Sequence, residues 1–354
     1  MTSLPKILKH DFAIPKKDSA SQSIVIFLTN VPLVLKLSPS STTRDNSLLV
    51  EREIYNKIRT TLSLESPHFL IPEEVGWGKQ NTILKMKHSK KPNHVTLYKA
   101  WITLRADIIT KNLRETGQWY EFEKTLTSKQ QKSKMALAEH LLKHPSFSGK
   151  YTVVHYVVTP KMKGTTLSDF LNNKHVNSSD LQDVMIQIAQ ALTVLARHKI
   201  THHDLHDGNV FVEYFTQIQH IVYSYPKKAT LLTHYVAKIY DWDHASLPEM
   251  KNTKLDGEFC RAVGECNKYV PKFDWYTVLT NVILSRKEFT REFIRIMGNL
   301  YDEKDGIGHD AWTGHPCTCR KINPNTSQCK RCVAKKLGKL CTPRQYFLAT
   351  LKTR

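Results

Sequence analysis

Chemistry concentrates in one stretch of this 354-residue chain, His202-His203-Asp204-Leu205-His206-Asp207-Gly208-Asn209, with Asp241-Trp242-Asp243 further on. Moving a phosphoryl group from ATP requires a carboxylate beside the acceptor hydroxyl, and an amide oxygen with a second carboxylate to hold Mg²⁺ over the phosphates. The H-x-D-x-x-x-x-N spacing of His202, Asp204 and Asn209, with Asp241 further on, offers an inventory of that kind. Such a spacing taken alone arises by chance. Its weight comes from order, because a lysine ending an early strand (Lys36) and a glutamate in the next helix (Glu53, with Glu51 as near competitor) precede it.

These residues need elements to position them. Ile24 to Leu28, the polar turn Thr29-Asn30 and Leu33 to Leu37 predict a β-hairpin, and Ser47 to Leu62 predicts a helix behind acidic Glu51 and Glu53. From about Gly78 to Lys150 the chain turns polar and basic, which reads as a partly helical insertion. Tyr151 to Met162 reads as a buried strand, with a linker-like break at Lys163-Gly164. Leu181, Val184, Ile188, Leu192 and Leu195 fall on one stripe, so a long helix is expected over 180–198, with Ser168 and Ser179 as helix caps. A strand is expected near Val236 to Tyr240, and helices at Trp275 to Leu284 and Phe289 to Tyr301.

At the loop and at Asp241 the sequence resembles the protein-kinase-like superfamily, whose catalytic loop has the H-x-D-x-x-x-x-N spacing. The resemblance covers roughly residues 20–300. It implies a bilobal α+β fold: a β-rich N-lobe over 1–162 carrying the basic insertion of about 78–150, a helical C-lobe over 163–308, and a Cys-rich basic tail over 309–354. It further implies that Asp204 acts on the acceptor hydroxyl, that Asn209 and Asp241 bind Mg²⁺, that Lys36 holds the ATP α/β-phosphates, and that Glu53 pairs with Lys36. Asp274 looks like the family's buried helix aspartate, which braces the catalytic loop. The activity implied is transfer of the ATP γ-phosphate to Ser/Thr hydroxyls of protein substrates. Asp-Leu-His-x-Gly-Asn is shared by aminoglycoside- and choline-type phosphotransferases, by haspin-like kinases and by kinases of large DNA viruses. The long segment between Asn209 and Asp241, with strand-like Ile218 to Tyr225, looks like haspin-like kinases, and the compact Phe273-Asp-Trp looks like the divergent, iridovirus-like kinases of large DNA viruses.

The departures from that family are specific. Asp18 to Ser23 has no glycine where the family has its Gly-rich loop. His203 replaces the arginine that reads a phosphorylated activation loop. His206 stands where typical protein kinases have lysine, Asp241-Trp-Asp243 replaces D-F-G, and no A-P-E precedes Asp274. His206 suggests a rival reading, an aminoglycoside- or choline-type small-molecule phosphotransferase. Such enzymes usually bind cationic substrates on an acidic surface, which fits poorly here. The glycine-free loop and the basic tail suggest a pseudokinase or nucleic-acid-binding scaffold, which would have no need of the retained site residues.

Lys and Arg number 52 against 32 Asp and Glu, a formal charge of +20, so the chain is drawn to polyanions. The basic insertion and the acid-free stretch from Cys317 onward are candidate contacts for nucleic acid or an acidic partner. Trp101, Trp119 and Tyr120 could stack on bases or anchor a small core. Cys317, Cys319, Cys329 and Cys332 form two short thiol pairs able to close a tetrahedral Zn²⁺ site, with His309, His315 and Cys341 as spare ligands. Cys260 and Cys266 are not needed for it. No apolar run is long enough to span a membrane and the start lacks a signal-peptide core, so a cytoplasmic location is expected, in host cytoplasm or virion for a viral chain.

Overall fold

The computed structural model describes residues 3–15, 23–41, 46–255, 267, 269, 272–285 and 342–351. The chain divides into two compact units, residues 1–45 with 72–161, and residues 46–71 with 162–354. Elements run in the order α1 (Leu4–Ile7), β1 (Phe12–Ala13), β2 (Ile24–Leu28), β3 (Leu33–Ser40) and α2 (Asn46–Lys57), the last in the second unit. The first unit resumes with β4 (Glu74–Lys79), α3 (Asn81–Leu84), a 3₁₀ turn at Lys85–His88, α4 (Pro92–Glu115), α5 (Trp119–Lys124), α6 (Ser128–Lys132), α7 (Lys134–Lys143) and β5 (Val153–Pro160).

Its five strands form one antiparallel sheet in the order β1-β2-β3-β5-β4. Alternation explains the register. Ile24, Ile26 and Leu28 of β2 and Leu35 and Leu37 of β3 are buried, while the residues between them are less so. The basic insertion is almost wholly helical. Pro92 sits in the first turn of α4, where its missing N–H costs nothing, and Leu97, Trp101, Leu104, Ile109 and Leu113 bury one face beside Ala138 and Leu141 of α7. Trp101 is therefore a core anchor. Trp119 packs partly buried against the same core, and Tyr120 is exposed beneath the Lys124 ammonium, 4.2 Å from its ring centre.

The second unit contains α2, which continues through a π-helical turn at Ile58–Leu62 to Glu65, then β6 (Thr165–Thr166), α8 (Leu167–Asn172), α9 (Ser178–Arg197), β7 (Val210–Tyr223), β8 (Ala229–Ile239), α10 (Phe273–Ser285) and α11 (Pro343–Leu351). The caps differ from expectation. Thr166 caps α8 by accepting from the Asp169 N–H, and Asn177 forms a capping box with Asp180 on α9. Ser168 and Ser179 lie just inside those helices, because Thr166 and Asn177 hold the extended backbone that a cap requires. Helix α9 is buried on nearly every side. Its Gln187 donates to the Tyr235 carbonyl and accepts from the Ala237 N–H, both at 2.8 Å, while Gln190 donates to the Glu65 and Tyr225 carbonyls. The strand signal at 218–225 proves to be the far end of β7, half of a long hairpin with β8.

The fold is thus mixed α+β with antiparallel sheets. Among the described residues no helix is long and apolar enough to cross a membrane. The expected helix at Phe289 to Tyr301 lies outside the described residues, as do Asp18 to Gln22, Cys260, Cys266, His309, His315, Cys317, Cys319, Cys329, Cys332 and Cys341.

Candidate active site

The loop after α9 is shaped by backbone donors and one buried acid. Asp274, in the first turn of α10, accepts the N–H of His202 at 2.7 Å and of His203 at 2.9 Å, one on each carboxylate oxygen. Those two bonds fix a bend in which His203 has φ 63°, a region that non-glycine residues rarely enter. Burial pushes the Asp274 carboxyl upward, and the positive field of His202 with the two N–H donors opposes that shift. The bracing role expected of Asp274 is borne out. His203 is internal, sharing a 2.9 Å hydrogen bond with Ser246 Oγ and packing on Phe273.

His202 locks the loop to the Asp241 segment. Its Nε2–H donates to the Tyr240 carbonyl at 2.9 Å, and its Nδ1 faces the Asp204 N–H at 3.4 Å. Its ring lies 4.7 Å from buried Trp242, which occupies the middle of Asp-Trp-Asp and also meets Phe69. Asn209 closes the loop from the other end. Its Nδ2 donates to the Asp204 carbonyl at 2.7 Å, its N–H donates to the His206 carbonyl, and its own carbonyl accepts from the Tyr240 N–H. With its amide nitrogen committed, Asn209 has its side-chain oxygen left as a hard donor, the type Mg²⁺ takes. Asp241 has φ 65°. Asp204 is half-buried, and its carboxylate lies 3.8 Å from His244 Nδ1.

Carboxylates crowd His206. Asp207 first, then Asp204 and Asp241, raise its affinity for a proton, while His206 in turn holds Asp207 below the usual carboxylate range, with help from the Ser168 hydroxyl. Two partners compete for His206 Nδ1. The Gly208 N–H at 2.9 Å needs its lone pair, and the Asp207 carboxylate at 3.8 Å favours its protonated form. A β-carbon at Gly208 would stand 2.6 Å from the imidazole ring, so a larger residue there would displace His206 from this position. Because the folded His206 value is raised, its stabilising contribution is full below the unfolded value of about 6.5 and fades as pH rises through the folded one. Asp207, lowered, contributes above about 3.9 and loses its share as pH falls. We therefore expect His206→Gln to lower the melting temperature most at pH 5–6 and hardly at all at pH 9. Equal losses at both pH values in a thermal-shift series would refute the coupling.

Sequence reasoning missed the network beyond Asp241. Asp243 accepts from Lys254 Nζ at 2.5 Å and meets His244 Nδ1 at 2.7 Å, while Asn252 donates to the Asp243 and Ala245 carbonyls. No spacing in one sequence marks His244 or Lys254 for this role. Lys36 sits at the centre of β3, half-buried on the face opposite Leu35 and Leu37, between Val25 and Val157. On α2 the two glutamates differ: Glu51 is 2% exposed, whereas Glu53 is half-buried. Among the described residues no three His, Cys, Asp or Glu side chains gather into a metal-holding group, so a cation here would rely on Asn209, Asp241 and its own phosphate and water ligands.

A family model, protein tyrosine and serine/threonine kinase, matches residues 105–223, about a third of the chain, and supports placement in the protein-kinase-like superfamily. Its span contains Asp204 and Asn209 and leaves Lys36, Glu53 and Asp241 outside. No curated protein matches the chain.

Proposed function

We propose that the protein is an ATP- and Mg²⁺-dependent kinase that transfers the γ-phosphate to Ser or Thr hydroxyls of protein substrates. The observation that carries this reading is the construction of the catalytic loop: Asp274 holds its backbone at His202 and His203, and Asn209 holds the Asp204 carbonyl. Asp204 is the base that orients or deprotonates the acceptor hydroxyl. Asn209 and Asp241 would hold Mg²⁺, which when bound neutralises charge on the transferring phosphoryl group. Lys36 is assigned to the ATP α/β-phosphates. The preference for Ser/Thr, like the likeness to haspin-like kinases and those of large DNA viruses, rests on the sequence resemblance.

The test is labelled ATP and Mg²⁺ with purified protein and a panel of a basic protein, an acidic protein and small alcohols, followed by phosphoamino-acid analysis. Label on phosphoserine or phosphothreonine is the expected result. Label on an alcohol would favour a small-molecule phosphotransferase, and none on any acceptor would favour a pseudokinase.

The acid assigned to Lys36 can be tested on α2. Glu53 was the expectation from order along the chain, yet burial makes a charge at Glu51 far costlier to leave uncompensated. We expect Glu51→Gln to lower kcat/KM by at least about tenfold, a loss of about 1.4 kcal/mol, and Glu53→Gln by less. A larger loss in the Glu53 variant would return the role to Glu53.

A further inference from the structure

The first unit contains a cavity of about 480 Å³ that the kinase reading does not use. It lies where the end of α1, α3 with its 3₁₀ turn, and the start of α4 converge. Lys9, Lys85, His88, Lys91 and His94 line it, together with the hydroxyl residues Thr82 and Ser89, and among the described residues no acidic side chain does. The volume falls within the roughly 300–1,000 Å³ typical of ligand sites.

Its charges are arranged around a mouth. Lys9, Lys85, His88 and Lys91 are exposed, and Leu8 and Met86 are buried behind them, giving an apolar floor. One cation is compensated: Lys91 Nζ pairs with Asp11 at 2.9 Å, outside the lining. Deeper in, Ser89 Oγ accepts from the Lys91 N–H at 3.2 Å and shares a 3.1 Å hydrogen bond with His94 Nδ1. The ring of His94 is held by stacking on Phe12, and its Nε2 is shielded from solvent without a partner. Lys9 and Lys85 add two further positive charges at the mouth, while partial burial and nearby Lys91 disfavour protonation of His94.

We propose that this cavity captures a phosphoryl group borne on a Ser or Thr side chain of a peptide that is already phosphorylated. A phosphoryl group brings nearly two negative charges and three strong acceptor oxygens, which suits lysine point charges and hydroxyl donors around an open mouth. The apolar floor accommodates a neighbouring side chain of the same peptide. Nucleic acid fits less well, because the lining has no Trp, Tyr or Phe to stack a base. The choice of a phosphopeptide rests on the kinase reading, whose product is one. A substrate phosphorylated once would then be held by its own product group for further rounds.

The test is binding without ATP, using the full chain, so that failed catalysis leaves it untouched. Fluorescence anisotropy would compare a synthetic peptide bearing one phosphoserine, its serine counterpart, and single-stranded RNA of equal charge, with inorganic phosphate as competitor. We expect the phosphopeptide to bind at least about tenfold tighter than the serine peptide, and Lys9→Glu and Lys85→Glu each to weaken it about tenfold. Lys143→Glu, on exposed α7 surface away from the cavity, should change little, and Asp204→Asn should bind as the parent does. Equal binding of the two peptides would overturn the proposal. So would an equal loss in Lys143→Glu, which means diffuse charge, or RNA binding tighter than the phosphopeptide with the same dependence on Lys85.

Discussion

Asp204→Asn should lower kcat for phosphoryl transfer by about 10²–10⁴-fold, the range for a lost general base, while leaving the melting temperature nearly unchanged. The structure separates the two effects. Asn209 grips the backbone carbonyl of Asp204, not its carboxylate, and Asp274 grips the two preceding N–H groups, so the loop keeps its shape when the carboxylate is replaced. The half-buried side chain has His244 at 3.8 Å, a separation at which losing the charge costs little in folding. KM for ATP should stay within a few-fold of the parent, since Asp204 is assigned to the acceptor and not to the nucleotide. A variant with full turnover would remove Asp204 from catalysis, and one that fails to fold would give the carboxylate a structural role that none of these contacts supports.

The second large effect is expected at Asp274, where stability and activity should fall together. Asp274→Ala leaves two buried N–H groups without an acceptor, at about 1–3 kcal/mol each, and releases a backbone bend in which His203 occupies the left-handed region. Displacing the loop by about 1 Å is enough to cost roughly 10²-fold in rate. Asp274→Asn is the informative control. It keeps one side-chain oxygen as acceptor, turns a second amide hydrogen against an N–H, and removes a buried charge, so its stability should lie between those of the parent and the alanine variant. Urea denaturation alongside initial rates would check both. An alanine variant that loses activity but no stability would show that Asp274 acts at the site chemically and does not merely support the loop.

Why the site was readable while parts of its surroundings were not follows from where the information sits. Asp204, Asn209, Asp241 and Asp274 stand out by residue type and order, and the structure ties Asn209 to the Asp204 carbonyl and Asp274 to the two preceding N–H groups. The paired strands Ile24–Leu28 and Leu33–Ser40 and the long helix at 178–197 were legible because their apolar periods, two and 3.6, are set by one buried face. The caps were misplaced by two residues, since a serine inside a first turn and a threonine or asparagine at its edge look alike until φ and ψ are known. Gln187 and Gln190 were invisible for a different reason. Pattern reading scores a glutamine as polar surface, yet both are fully buried: Gln187 bonds a carbonyl and an N–H, and the Gln190 amide nitrogen bonds two carbonyls, partners that only the β7–β8 hairpin and Glu65 bring to them. The same holds for His68, which lies between the Ala237 carbonyl and the Tyr223 hydroxyl, residues more than 150 positions away, and whose imidazole burial pushes down to about 3. Glu51 and Glu53 differ in burial, which two acids on one short helix do not reveal.

The most direct test of the central claim is the rate of label transfer from γ-labelled ATP to a Ser/Thr substrate protein, measured for the parent with Mg²⁺, the parent with excess chelator, and Asp204→Asn with Mg²⁺. The account predicts phosphoserine or phosphothreonine that accumulates linearly with enzyme in the first arm and falls by at least about 10²-fold in the other two. Label that accumulates equally in the Asp204→Asn arm, or equally without divalent cation, would contradict it.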